Sequence, residues 1–245
     1  MKVLAIIPAR YQSTRFPGKP LVEIQGKSMI QRVYEQAMKA NLVNQVVVAT
    51  DDERIFKHIQ ELNYTVEMTR SDHQSGTDRC AEVAKKYTDY QIIVNVQGDE
   101  PFIAPKQIDA VIRPLLEQKA QISTLAKSIS DLAILENPNV VKVVRNAMGN
   151  ALYFSRSPIP FLRNLPRTAW LNQQLHFKHL GIYGFQRETL LKITQLPISI
   201  LERAESLEQL RWLENGFSIA VELTDLESVG IDTPEDLEKI VRLQL

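Results

Sequence analysis

Short apolar runs rich in β-branched residues alternate with longer amphipathic stretches along the first half of the chain. The runs "KVLAIIP", "QVVVAT", "YTVEM" and "QIIVNVQ" predict buried strands. Between them "SMIQRVYEQAMKA", "DERIFKHIQEL" and "GTDRCAEVAKKY" predict helices. The order β-α-β-α-β-α-β predicts an α/β fold, with a parallel sheet covered by helices on both faces. "KQIDAVIRPLLEQ" and "QISTLAKSI" continue the alternation.

The pattern then changes. "NPNVVKVVRNAMGNALYFSRSPIPF" predicts strand, turn, strand, with "AMGN" as the hairpin connection. "LHFKHLGIYGFQ" is a further strand-like run, and the polar "RNLPRTAWLNQQ" between them reads as a mobile surface loop. "ESLEQLRWLENG" predicts a helix closed by Gly216, and "FSIAVELT" a strand. "DTPEDLEKIVRLQL" predicts a last helix, with Thr233 or Asp232 as its cap and Pro234 in its first turn. The chain thus reads as one domain with an insertion lobe at roughly residues 130–185, followed by elements that return to the sheet.

Composition narrows the class. Hydrophobic residues make up 44%, enough for a large core. The 29 basic residues equal the 29 acidic ones, so there is no surplus for sequence-independent nucleic-acid binding, and any cationic site is local. The lone cysteine, Cys80, has no internal disulfide partner and fits a reducing compartment. The start "MKVLAIIPAR" has too short an apolar run for a signal peptide, and no segment approaches bilayer length. The expectation is a soluble cytoplasmic protein.

One local concentration of positive charge stands out. "IIPARYQSTRFPGKP" runs straight on from the first strand and carries Arg10, Arg15 and Lys19 with the hydroxyls of Ser13 and Thr14. It is neither a Walker A loop nor a G-x-G-x-x-G fingerprint. Ligands of open α/β sheets bind beyond the carboxyl ends of the strands, and these donors suit a polyanion such as a triphosphate. The ordinary alternative is a solvated loop paired with surface acids. "VNVQGDEPF" places Asp99 at another strand end, where it can bridge Mg²⁺ to phosphate oxygens or merely satisfy a turn. "VGIDTPEDL" places Asp232 at a further strand-to-helix junction, where a helix N-cap is the ordinary role. "MTRSDHQSGTDRCAEV" puts Ser75, Gly76 and Thr77 at a helix N-terminus, with Arg70 and Arg79 as added donors and capping by Asp72 or Ser75 as the alternative.

Together with "VVVATDDERI", "NPNVVKVV", "ALYFSRSPIP", "KHLGIYGF" and "LEQLRWLENG", these stretches resemble the 3-deoxy-manno-octulosonate (Kdo) cytidylyltransferases, in order and over almost the whole chain. The opening motif suits many sugar nucleotidyltransferases; "VQGDEP", "HLGIYGF" and "LEQLR" are more specific. The resemblance implies a Rossmann-like nucleotide-diphospho-sugar transferase fold, a mostly parallel central sheet with an inserted α+β dimerisation lobe, and a homodimer. It implies an enzyme that joins CTP and Kdo into CMP-Kdo and pyrophosphate with Mg²⁺, activating Kdo for lipopolysaccharide biosynthesis. On that reading Ala9, Arg10, Ser13, Arg15 and Lys19 hold the triphosphate. Arg70, Asp72, Gln74, Ser75, Gly76 and Arg79 shape the cytosine and ribose pocket. Gln97, Arg156, His179, Tyr183, Glu208 and Gln209 bind the sugar acid. Asp99 and Asp232 bind the metal, and with Arg10 and Lys19 they form the catalytic group.

Each sugar-side assignment has a plainer alternative. His179 and Tyr183, four apart on a strand, share a face and suit a core. Glu208 and Gln209 suit a solvated helix face, and Arg156 a surface ion pair. Rival functions are a cytidylyltransferase for a sialic acid or 8-amino-Kdo, a nucleotidyltransferase using another base, a nucleotide-binding module without catalysis, and a nicotinamide oxidoreductase, which the missing glycine fingerprint disfavours.

Overall fold

Six of the seven residues of the first strand, β1 (Val3–Ala9), are buried, as a strand covered on both faces requires. The computed structural model describes residues 1–12, 16–227 and 230–242. After β1 come the two-residue strands β2 (Glu23–Ile24) and β3 (Lys27–Ser28), then α1 (Met29–Met38), β4 (Gln45–Thr50), α2 (Glu53–Glu61) and β5 (Val66–Met68). The alternation continues with α3 (Gly76–Lys86), β6 (Ile92–Asn95), α4 (Pro105–Leu116) and β7 (Ile122–Ser128). The second half adds α5 (Leu132–Glu136), β8 (Lys142–Arg145), β9 (Ala151–Ser155), β10 (Phe177–Gln186), α6 (Arg187–Ile193), α7 (Ile200–Glu205), α8 (Glu208–Glu214), β11 (Ile219–Leu223) and α9 (Pro234–Arg242).

The main sheet has the order β11-β7-β10-β6-β1-β4-β5. Neighbouring pairs are parallel except at β10, which runs against both β6 and β7. Alternate side chains enter two cores. Val3, Ala5 and Ile7 meet α1, α2 and α4 on one face, while Leu4 and Ile6 meet α3, α6 and α8 on the other. The expected parallel α/β sheet is therefore present.

Two expectations change. The strand-like run ending at Gln186, within the stretch expected as the lobe, is the central strand β10, between β7 and β6 of the main sheet. Leu180 and Ile182 enter one core and Tyr183 and Phe185 the other, so this segment is covered on both faces of the sheet. The stretch expected as a surface loop contains a 3₁₀ turn, Arg167–Gln173, built round Trp170, which is 2% exposed. Trp170 packs with Ile129 and Leu135, and its ring stacks on His176. One aromatic anchor among polar neighbours gives no periodicity to read.

Gly184 lies on β10 beneath α4, and a Cβ there falls 2.7 Å from both Val111 Cγ1 and Leu115 Cδ1. Gly184→Ala is expected to cost about 1–3 kcal/mol through overpacking. Urea unfolding should show a lower midpoint with an unchanged slope. An unshifted midpoint contradicts this packing.

Candidate active site

The parallel strands β1, β4 and β6 end on one side, where Ala9 pairs with Thr50 and Ile6 with Asn95. The loop after β1 is closed by the Gly18 N–H, which donates to the Tyr11 carbonyl at 2.8 Å. Gly18 has φ 73°, a left-handed conformation that favours glycine. This turn presents Lys19. Its ammonium lies 2.7 Å from Asp99 Oδ2 and 3.4 Å from Asp232 Oδ1.

The sequence places those two acids 133 positions apart, and three local features bring them together. Gly98 lets the loop after β6 pass β1 closely, since a Cβ there falls 2.8 Å from the Pro8 carbonyl oxygen. The Ile231 N–H donates to the Asp99 carbonyl at 2.9 Å. Thr233, not Asp232, caps α9: its hydroxyl accepts from the Asp236 N–H at 3.3 Å, and its own N–H donates to Asp236 Oδ2 at 3.1 Å. Asp232 is thereby kept out of the capping role. The Asp99 and Asp232 side chains are 31% and 47% exposed, against 13% for Lys19. Two hard oxygen donors converging beside a cation fit Mg²⁺, which takes one or two carboxylates and fills its shell with phosphate oxygens and water.

On the side expected to meet the nucleotide, an Arg10 Nη2–H donates to the His73 carbonyl, joining the loop after β1 to the loop after β5. Arg10 lines a hollow of about 210 Å³ with Tyr11, Gln12, Asp51, Asp52 and Ser71. The Arg54 guanidinium covers the Tyr11 ring, 3.2 Å from its centre. Ser75 and Asp78 form a reciprocal capping box on α3, and Gly76 packs against Pro8. Arg70, Asp72 and Gln74 face elsewhere: Arg70 pairs with Asp72, and all three line a separate 440 Å³ hollow on the flank of α3. Arg79 is wholly buried and bonds Thr69 and Asp51, so it ties α3 to the ends of β4 and β5. Ser13 and Arg15 lie outside the described residues.

On the other side of the carboxylates is a cleft of about 710 Å³. Gln97, His179, Tyr183 and Gln209, all expected to meet the sugar acid, line it together with Asp99 and Asp232. Its floor is a β-bulge, where the pairing of β10 with β7 shifts between Leu180 and Tyr183. The Thr124 hydroxyl fills the bulge, donating to the Ile182 carbonyl at 2.7 Å with His179 Nε2 at 3.0 Å. The freed Gly181 carbonyl accepts from Gln97 Nε2 at 3.1 Å, which orients that amide. Burial pushes the His179 pKa down to about 3, so the ring is neutral at pH 7. The Tyr183 hydroxyl is buried with no hydrogen-bond partner among the described residues.

Two sugar-side expectations fall differently. Arg156 donates to the carbonyls of Glu205, Pro138 and Ser206, at 2.8, 3.1 and 3.4 Å, and so braces the cleft wall. Glu208 accepts from the hydroxyls of Ser75 at 3.0 Å and Thr77 at 2.6 Å, tying α8 to the start of α3. Sequence reasoning passed over Lys142, which is fully buried and gives its ammonium to the carbonyls of Asn137, Val140 and Arg156. It also passed over Ser71 and Lys178. The signal for Lys142 was a lysine in an otherwise apolar strand run, "NVVKVV".

A cation-bearing loop and two carboxylates thus meet at the carboxyl ends of a mostly parallel sheet, where open α/β folds bind their ligands. Residues 4–223 match the family model for cytidylyltransferases. The chain is 53% identical over 242 residues to the 3-deoxy-manno-octulosonate cytidylyltransferase of Bacteroides thetaiotaomicron, covering 97% of this chain and 96% of the relative. It is equally 53% identical over 247 residues to the enzyme of that name from Geotalea daltonii, covering 98% and 97%. A solved structure of CMP:2-keto-3-deoxy-manno-octonic acid synthetase complexed with CTP aligns with a TM-score of 0.92 at 43% identity, covering 100% of this chain and 98% of that one. A 4-diphosphocytidyl-2C-methyl-D-erythritol synthase, 15% identical with a TM-score of 0.65, shares the fold. The chain belongs to the cytidylyltransferase family and, within it, to the 3-deoxy-manno-octulosonate cytidylyltransferases.

Burial raises the Glu208 carboxyl above the ordinary 4.5, against the lowering effect of the Thr77 and Ser75 hydroxyls. Above pH 4.5 the unfolded chain has lost this proton while the folded chain still holds it, so stability falls as pH rises up to the raised folded value. Glu208→Gln removes that slope. Urea unfolding of both proteins from pH 4.5 upward should show the wild type losing ground to the variant as pH rises, then levelling; parallel curves refute it.

Proposed function

We propose that the protein transfers CMP from CTP to the anomeric hydroxyl of Kdo, releasing pyrophosphate, with Mg²⁺ held by Asp99 and Asp232. The observation that carries this reading is the convergence of the two carboxylates on Lys19, between the Arg10 loop and the cleft lined by Gln97, His179, Tyr183 and Gln209. The anomeric hydroxyl gives its proton to water, and its oxygen bonds to the α-phosphorus as the bond from that phosphorus to the pyrophosphate oxygen breaks. Bound there, Mg²⁺ supplies neutralisation of phosphate oxygens and a lower pKa for the attacking hydroxyl.

The chain's own residues bind and position. Arg10 meets the triphosphate, with Ser13 and Arg15 assigned beside it by resemblance. Lys19 keeps the two carboxylates aimed at one point and adds to the positive charge that the leaving pyrophosphate meets. The backbone at Ala9, Ser75 and Gly76 shapes the nucleotide pocket, where Arg79 acts by holding α3 in place. Arg70, Asp72 and Gln74 belong to this function only if the loop after β5 rearranges on CTP. Arg156 and Glu208 act on the sugar side by bracing the cleft wall.

The product would serve lipopolysaccharide synthesis in the cytoplasm; among the described residues no helix is long and apolar enough to cross a membrane. Met148 and Phe161 of the lobe are 82% and 73% exposed, which supports the lobe as the interface of a homodimer.

Pyrophosphate release is expected with CTP and Kdo, and much less with other nucleotides, 8-amino-Kdo or a sialic acid. Asp99→Asn should lower turnover at least about 100-fold, the scale on which one preorganised electrostatic group acts. Circular dichroism and urea unfolding should show an intact fold. A folded variant with near-normal turnover in Mg²⁺ refutes the metal assignment.

A further inference from the structure

The cleft poses a charge problem for an acidic substrate. Asp99, Glu100, Asp232 and Asp236 all line it. In a 2-keto sugar acid the carboxylate is attached directly to the anomeric carbon, so that charge must enter beside the reacting hydroxyl. Arg156 is engaged by three backbone carbonyls, and His179 is neutral. The Lys19 ammonium is bonded to Asp99 and Asp232.

Among the described residues that line the cleft, Lys178 is the one lysine or arginine. It lies at the start of β10 beside His179, just before the bulge, and its side chain is 18% exposed. Its ammonium bonds Glu227 Oε1, while the other oxygen of that carboxylate takes Lys127 Nζ at 2.8 Å. Glu227 therefore has a second cation. Lys178 can turn away without leaving a carboxylate unpaired, which lowers the cost of the exchange.

We infer that Lys178 receives the carboxylate of the sugar acid, exchanging Glu227 for substrate while Lys127 retains Glu227. This assignment rests on the proposed function, and it makes Lys178 the residue that selects an acid over a neutral sugar.

The test pairs the residue with the charge it meets. Wild type, Lys178→Met and Lys178→Arg are assayed for pyrophosphate release with CTP and either Kdo or its C1 carboxamide. Lys178→Met should raise KM for Kdo about 10–100-fold, the scale of one lost charge-assisted hydrogen bond. It should leave KM for CTP unchanged and use the carboxamide as well as wild type does, so the preference for the acid collapses. Lys178→Arg should restore most of that preference. Equal losses on acid and carboxamide indicate that Lys178 serves only to hold Glu227, and they overturn the proposal, as does an unchanged KM for Kdo. A wild type inert toward Kdo and CTP overturns the functional reading, and the proposal with it.

Discussion

Two carboxylates aimed at one point repel each other, and Asp99 and Asp232 stay together because the Lys19 ammonium bonds both. At an effective dielectric of about 20, unit charges 4 Å apart interact by about 4 kcal/mol, so the arrangement depends on the cation being held in place. Much of the local structure serves that need. The left-handed turn at Gly18 delivers Lys19, and the missing side chain of Gly98 lets Asp99 approach from a different strand. The Ile231–Asp99 backbone bond joins the two acid loops, and the Thr233–Asp236 cap leaves Asp232 facing the cation. A change at any of these points moves a charge, and the energy of a charge pair depends steeply on distance.

The reversed strand β10 explains why the lobe sits where it does. A strand antiparallel to β6 and β7 begins at the edge where those strands end. The chain leaves β7 at the catalytic edge, builds α5 and the β8–β9 hairpin, and re-enters there as β10. Lys178 and His179 therefore open onto the site, while Phe185 lies deep in the sheet. The bulge that follows turns the Gly181 carbonyl towards Gln97. Lys142 and Arg156 then stiffen the wall above, because six backbone carbonyls close to the cleft are satisfied by their side chains.

The parallel half was legible because each strand is continuously apolar and each helix is amphipathic, and both are local properties. The acids were legible by type and by place at strand ends, but nothing local distinguishes Asp232 from a helix cap; only the Thr233–Asp236 bonds do so. Side-chain direction was least legible. Arg79, Arg156 and Glu208 have the right chemistry for ligands, yet each is engaged by protein groups distant in sequence, such as Asp51, Pro138 and Thr77. A guanidinium that binds a carbonyl and one that binds a substrate look identical in a sequence. Lys178 illustrates the reverse case: as a polar residue opening an apolar strand it looks like an edge lysine, and its position in the cleft follows only from the direction of β10.

Net neutrality explains why recognition must occur at contact distance. Equal numbers of basic and acidic residues give the whole chain no net charge with which to draw in an anion. Salt at physiological strength screens exposed charges beyond about 8 Å. Both proposed substrates are anions, and two carboxylates stand between their sites. With Lys19 alone, that centre keeps one net negative charge and disfavours both ligands. A divalent cation in the proposed place reverses the sign to one net positive charge. The centre would then attract the triphosphate from one side and the sugar acid from the other, with no change in the charge that the chain itself carries.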